Sequence, residues 1–344
     1  MAEEDIVEER IIARLNNIRS VEPILSAMRT ISLGSWQAAL KRQQRVRSFS
    51  ERLLSLLPAI GCSLSAGCSL SAGCSLSALP HLTSQGRKRR TARLAGVPPA
   101  RRARLPHPPA PTVVLVVGSE RGLCGAFNTN LIHYAQEAFD RYEREGIHIE
   151  LATLGRRVGR ALERRGVPIV WSRSLPISRL PGRELASELT DTWLARYEAH
   201  TLDAVDVIYN AYLIPLARPA EERAGVRGFY RPVTTRLIPP DRQHLAGRSA
   251  VTQDAVPWPP PYIDTDPVML YTYIIRLWIT TEMYRILLDS AAAEHATRFQ
   301  LMEGATQNSR RLIDELTLAL QAARQQAITS EMQELAAGAG LLGS

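Results

Sequence analysis

Two long runs almost free of helix breakers, one at each end, constrain this chain more than any other feature. From about Ile6 to Leu57 the only glycine is Gly34 and the only proline is Pro23, with Pro58 directly after. From Asp264 to about Ala337 no proline follows Pro267, and Gly304 is the only glycine. In the first run Ile11, Leu15, Ile18, Val21, Leu25, Met28 and Ile31 recur every three or four residues, a helical stripe near the coiled-coil period. In the second, Leu301, Ala305, Leu312, Leu316, Ala319, Ala323 and Ala327 share a narrow face of small and branched side chains. Helices of ~50 and ~70 residues are about 75 and 105 Å long, far more than a compact domain needs. Helices this long are stabilised by packing an amphipathic face. An antiparallel pair is the simple solution, with Ile18, Leu25 and Met28 facing the segment from Leu312 to Ala327.

Between the ends lie segments of different kinds. Residues 58–111 open on GCSLSA three times over and continue into a basic, proline-rich stretch ending LPHPPAP. The formal charge of +8 is concentrated there: Arg87, Lys88, Arg89, Arg90, Arg93, Arg101, Arg102 and Arg104 lie in it with no acidic residue between Leu79 and Pro111. The rest of the chain is formally neutral, so no nucleic-acid-binding fold is indicated. The segment reads as a low-complexity, mostly irregular insertion, or as a basic tether for anionic lipid or nucleic acid. From 112 to 261 strand and helix signals alternate. Thr112–Val117 (TVVLVV), Ile147–Thr153, Pro168–Trp171, Ala204–Tyr209 and Arg231–Leu237 read as strands, and Asn128–Arg144, Arg156–Arg165 and Arg183–His200 as helices. That alternation predicts a mostly parallel, Rossmann-like sheet covered on both faces. The fold class is therefore α/β: a long antiparallel coiled coil from helices in 1–57 and 262–344, joined to an α/β domain in 112–261.

Several chemistries are disfavoured. No apolar run is long enough to span a bilayer. Cys62, Cys68 and Cys74 belong to the repeat and Cys124 stands alone, which makes neither a disulfide framework nor a zinc site. No catalytic triad, carboxylate pair or metal motif can be assembled, so neither a metal nor a cofactor is expected. The strongest local string is SERGLCGAFNTN, Ser119 to Asn130, directly after the first α/β strand. A glycine-rich strand-to-helix turn of this kind could cradle phosphate on its amides, with Arg121, Gly122, Cys124, Gly125 and Asn128 in it. Equally, Gly122 and Gly125 could serve only a tight turn and close packing. The string lacks the usual dinucleotide and P-loop spacings. Arg121 beside Cys124 would favour a lowered thiol pKa.

That string resembles the S-D/E-R-G-L-C-G-G-F-N-x-N signature of the gamma subunits of F-type ATP synthases. Arg14–Ser32 (RLNNIRSVEPILSAMRTIS) is similar to the family's opening helix, and Glu294–Leu335, with its LIDELTL core and ARQ-x-A-ITSEM, to its closing one. The resemblance implies a central rotor: paired helices inside a hexamer of alternating alpha and beta subunits, and an α/β foot on the membrane ring of c subunits beside the epsilon subunit. Proton-driven rotation of the ring would then force the beta sites through ATP synthesis, with nucleotide chemistry outside this chain. The subunit would be peripheral on the cytoplasmic face of the inner (plasma) membrane. Met28 falls on the family's K-A-M methionine, with Ser26 where the lysine usually stands. Arg324, Gln325, Thr329 and Glu331 fall on positions that contact the catalytic subunits, Arg324 and Gln325 on a face turned away from the partner helix. The sequence departs from the pattern at Leu33, Trp36 and Gln37, and at Leu301-Met302-Glu303 in place of A-M-K. Read without the resemblance, the chain could instead be a free-standing phosphate- or nucleotide-binding α/β protein with helical arms.

The repeat and the arginine-rich stretch carry little apolar surface to offset the cost of ordering them. Deleting Gly61–Ala110 is therefore expected to leave the melting temperature nearly unchanged. A large drop in a thermal melt would make the insertion part of the core.

Overall fold

The computed structural model describes residues 2–65, 110–176, 179–213, 230–240 and 264–338. Its contacts divide the chain into two units, one of Met1–Gly34 with Arg298–Ser344 and the other of Ser35–Thr297. Helix α1 (Ala2–Ser65) and the C-terminal helix, α5 (Pro267–Gly338), contribute to both. Helix α1 continues past Pro58, where the sequence predicts its end, because a proline removes one backbone hydrogen bond and can kink a helix without stopping it. The rest of the insertion, 66–109, lies outside the described residues.

In the first unit the two helices pair antiparallel. Along α1, Glu8, Ile11, Leu15, Ile18, Glu22, Leu25, Arg29 and Ser32 are buried or half-buried. Along α5 the same holds for Met302, Thr306, Ser309, Ile313, Leu316, Leu320, Ala323, Ala327 and Ser330. Both series alternate steps of three and four, the 3.5-residue period of a coiled-coil seam. Ion pairs fix the register: Arg324 Nε to Glu8 Oε1 at 2.8 Å, Arg310 Nε to Glu22 Oε1 at 3.0 Å and Arg29 Nη1 to Glu303 Oε2 at 2.7 Å. Each step forward along α1 is matched by an equal step back along α5. Ile18, between Glu8 and Glu22, therefore faces the expected Leu312 stretch. Leu25 and Met28 lie between Glu22 and Arg29 and face Glu303–Arg310 instead.

The stripe differs from the apolar series in the sequence. Val21 is 46% exposed and Ile31 67%, while Leu301 and Ala319 on α5 also face outward. A strict 3.5-residue period hands their places on α1 to the next residues, Glu22 and Ser32. Both are polar yet satisfied: Arg310 pairs with Glu22, and Ser32 Oγ donates to the Met28 carbonyl at 2.7 Å.

The second unit is built on one five-stranded sheet. Strands β1 (Thr112–Val117), β2 (Ile149–Leu154), β3 (Trp171–Arg173), β4 (Ala204–Tyr212) and β5 (Tyr230–Ile238) lie in the order β3-β2-β1-β4-β5. All neighbours are parallel except β5, which runs antiparallel to β4. Every residue of β1 is buried, as a β-branched apolar run requires of a central strand covered on both faces. Val114, Val116, Leu151 and Ile208 on one face pack under α2 (Phe127–Arg144) and α3 (Arg156–Glu163). Val113, Leu115, Val117, Leu154, Val205 and Val207 on the other pack against α4 (Arg183–Glu198), Leu53 and Leu54 of α1, and Ile274 to Leu287 of α5. Strand β3 begins at Trp171, later than the predicted Pro168–Trp171, and pairs only Ala152–Leu154. Pro168 has no N–H to give a ladder.

Leu15, 4% exposed, sits in the seam, whereas Val21 does not. Leu15→Ala is expected to cost about 2–4 kcal/mol in urea unfolding, and Val21→Ala less than about 0.5 kcal/mol. Equal costs would contradict this seam.

Candidate functional site

The turn after β1 is closed upon itself. Gly118 donates its amide to the Leu154 carbonyl at 2.9 Å, and a Cβ on it would lie 2.6 Å from Val158 Cβ. The Ser119 amide donates to Asn128 Oδ1 at 3.0 Å, Asn128 Nδ2 donates to Ser119 Oγ at 2.7 Å, and Ser119 Oγ donates to the Arg121 carbonyl at 2.7 Å. Leu123 and Gly125 hold positive φ of 61° and 56°, which bends the chain from strand into α2. Cys124 is buried, its sulfur 3.6 Å from Ser119 Oγ and 3.7 Å from Asn128 Nδ2. The Ser119 amide and hydroxyl are thus engaged within the turn, which locks the end of β1 to the start of α2. The motif brings Gly122, Cys124, Gly125 and Asn128 together, while the Arg121 side chain is exposed.

Glu120 extends the lock to the neighbouring strands. Its carboxylate accepts from the Arg156 amide at 3.1 Å, the Leu175 amide at 2.9 Å and the Arg156 guanidinium. Burial pushes its pKa up, but the Arg156 side chain and the two amides outweigh this and hold it below the ordinary glutamate value. One carboxylate thereby ties the end of β1 to the start of α3 and the segment after β3. Gly155, at φ 96°, has no room for a Cβ, which would lie 2.6 Å from the Gly118 carbonyl oxygen.

Two further buried carboxylates hold the unit together, and neither stands out in the sequence. Asp206 on β4 is 2% exposed and receives Arg236 from β5 through Nε and Nη2, both at 2.8 Å, and the Tyr142 hydroxyl at 2.6 Å. Desolvation and the Asp206 carboxylate push the Tyr142 pKa well up. Asp289 on α5 accepts from Gln43 Nε2 of α1 at 2.9 Å and from the Tyr212 amide at the end of β4 at 3.1 Å. Arg285, paired with Glu282 at 2.6 Å, is buried beside it. Burial raises the Asp289 pKa above the ordinary aspartate value, against the pull of Arg285.

On the helix pair of the first unit Met28 is half-buried, and Gln325, Thr329 and Glu331 are exposed. Thr329 Oγ1 donates to the Gln325 carbonyl at 2.7 Å. Arg324 departs from expectation: its side chain is 58% exposed, yet Nε is bonded to Glu8 of the partner helix. A long guanidinium at the rim of a seam can reach across it while keeping its outer edge in water. Leu318, Ile328, Met332 and Leu335 lie 58–73% exposed on the same helix. Glu303, where the family motif carries a lysine, pairs with Arg29 and titrates below its ordinary value through that hydrogen bond.

The model of the ATP synthase family matches residues 8–342. Curated relatives named ATP synthase gamma chain include one from a Synechococcus species, 30% identical over 96% of this chain and 97% of its own length. Another, from Crocosphaera subtropica, is 31% identical over 67% of this chain and 75% of its own. In fold, the chain is similar to one from the Euglena gracilis mitochondrial ATP synthase, with TM-score 0.56 and 11% identity over 98% of this chain and 94% of that one. The chain belongs to the ATP synthase gamma-chain family.

Because the folded pKa of Glu120 is lowered, its ionised form contributes stability above the unfolded carboxyl value near ~4.3, and that contribution is lost as pH falls through the folded value. Glu120→Gln is expected to cost about 1–3 kcal/mol at pH 7, with the gap to the parent protein narrowing below about pH 4. A gap that does not change with pH in chemical denaturation would remove Glu120 from this role.

Proposed function

We propose that this chain is the central rotor shaft of an F-type ATP synthase, coupling proton-driven rotation of a c-subunit ring to ATP synthesis in an alpha/beta hexamer. The observation that carries the reading is the construction of the helix pair. Its seam is closed by its own ion pairs, and Leu318, Ile328, Met332 and Leu335 are left on the outside. A pair that holds itself together and still presents a strip of apolar side chains suits a shaft turning within a sleeve of other subunits. Met28, Arg324, Gln325, Thr329 and Glu331 are its contact residues for the alpha and beta subunits. The α/β domain meets the epsilon subunit and the ring. The chain itself is non-catalytic, and ATP chemistry belongs to the beta subunits. Its place is peripheral, on the cytoplasmic face of the inner (plasma) membrane; no helix among the described residues is long and apolar enough to cross a membrane.

Arg324 and Gln325 test this division between folding and coupling. The exposed Arg324–Glu8 pair contributes only about 0.2–1 kcal/mol to the chain itself. Arg324→Ala with Gln325→Ala should therefore leave the helical content and melting point of the isolated chain almost intact. ATP turnover of the reconstituted complex should fall sharply. An unfolded free chain, or unchanged turnover, would make the two residues packing alone. The isolated parent chain should also show no binding of ATP at micromolar concentration.

A further inference from the structure

Helix α3 carries an arginine-rich face that the rotor reading does not use. Arg157, Arg160 and Arg164, at i, i+3 and i+7, share one side of the helix and line a cleft of about 290 Å³ together with Glu163. The opposite side, through Val158, Gly159 and Leu162, is buried against the sheet, so the arginines stand on a fixed base. Their neighbours on the helix are engaged elsewhere: Arg156 is paired with Glu120, and Arg165 donates to Gln136 Oε1 at 3.0 Å. Arg164 gives only Nε, to the Arg160 carbonyl. The Arg157 and Arg160 guanidiniums have no partner among the described residues.

Arg157 also lies against the turn after β1. A Cβ on Gly122 would lie 2.8 Å from Arg157 Nη2 and 3.3 Å from its Cζ, so the guanidinium rests against the glycine of the locked turn. The Arg157 amide donates to the Ser119 carbonyl at 3.3 Å, joining the helix start to that turn. A planar donor fork with no carboxylate bonded to it matches the oxygens of a phosphate group. Three arginines against one glutamate leave the cleft net positive, spread along the helix over several ångströms. That spread suits a chain of phosphates better than a single one. The lining holds no aromatic or aliphatic side chain on which a nucleobase could rest.

We propose that this face of α3 is a binding site for oligophosphate chains, recognised through their phosphate oxygens by Arg157, Arg160 and Arg164. Because the site is open to solvent and screened by salt, its affinity for pyrophosphate falls on the order of a Kd of 1 mM, well outside the micromolar range. Recognition rests on the phosphates alone, so ADP binds about as tightly as pyrophosphate, and orthophosphate more weakly.

Isothermal titration of the full chain with pyrophosphate, ADP and orthophosphate at low and high salt tests this. Saturable one-to-one binding of pyrophosphate that weakens with salt is expected. Arg157→Gln with Arg160→Gln should weaken it at least about tenfold, while Arg141→Gln with Arg144→Gln on α2 leaves it unchanged. Gly122→Ala, which displaces the Arg157 guanidinium, should weaken it too, and circular dichroism melts confirm that each variant is folded. Absence of saturable binding overturns the proposal, as do equal losses in the α2 and α3 variants or ADP binding tenfold tighter than pyrophosphate. The titration uses the isolated chain, so its failure would leave the rotor reading standing.

Discussion

The antiparallel pairing of the chain's two ends is the constraint on which the rest depends. Helices this long are stabilised by burying a stripe, and here each stripe meets residues from the far end of the sequence. The seam is not uniformly apolar. Glu8, Glu22 and Arg29 occupy positions that an all-apolar coiled coil would give to leucine or isoleucine, and each meets its opposite charge on α5. Apolar packing tolerates sliding by a heptad, but such a slide would separate all these pairs at once. The charges thus contribute less to stability than to the choice of register.

The α/β unit uses buried carboxylates in the same spirit. Glu120, Asp206 and Asp289 each receive several donors from different elements, so each is a joint and not an isolated pair. Asp206 fastens the antiparallel edge strand to the parallel sheet. Asp289 brings α1, β4 and α5 to one point. Removing a partner from such a group would strand a charge away from water, which costs far more than a surface contact. Rigid joints of this kind suit a part that must transmit force.

Much of this was legible in the sequence, for physical reasons that differ by element. The run TVVLVV specified β1 to the residue, because a central strand buried on both faces can hardly read otherwise. The long helices were legible from their lack of breakers, but the stripe on α1 drifted. Val21 and Ile31 are apolar and exposed, whereas Glu22 and Ser32 are polar and enclosed, so hydrophobicity alone picked the wrong neighbour. The motif from Ser119 to Asn128 announced a special turn, yet spacing alone could not show how it is closed. That depended on Asn128 folding back onto Ser119, a contact made only once α2 is in place. The roles of Asp206 and Asp289 were invisible for the same reason, since their partners lie far away in sequence. Arg324 carried a further ambiguity: an exposed arginine can bind outward or across a seam, and the helical phase alone does not choose.

The fold and the family both point to a machine part whose helices hold themselves together and whose outer surface belongs to its partners. The most direct measurement is single-molecule rotation. This chain, labelled with a bead on the α/β domain, is assembled with alpha and beta subunits fixed to a surface and supplied with ATP. Unidirectional rotation of the bead in three equal steps per turn is expected. A complex that assembles and hydrolyses ATP while the bead stays still would contradict it.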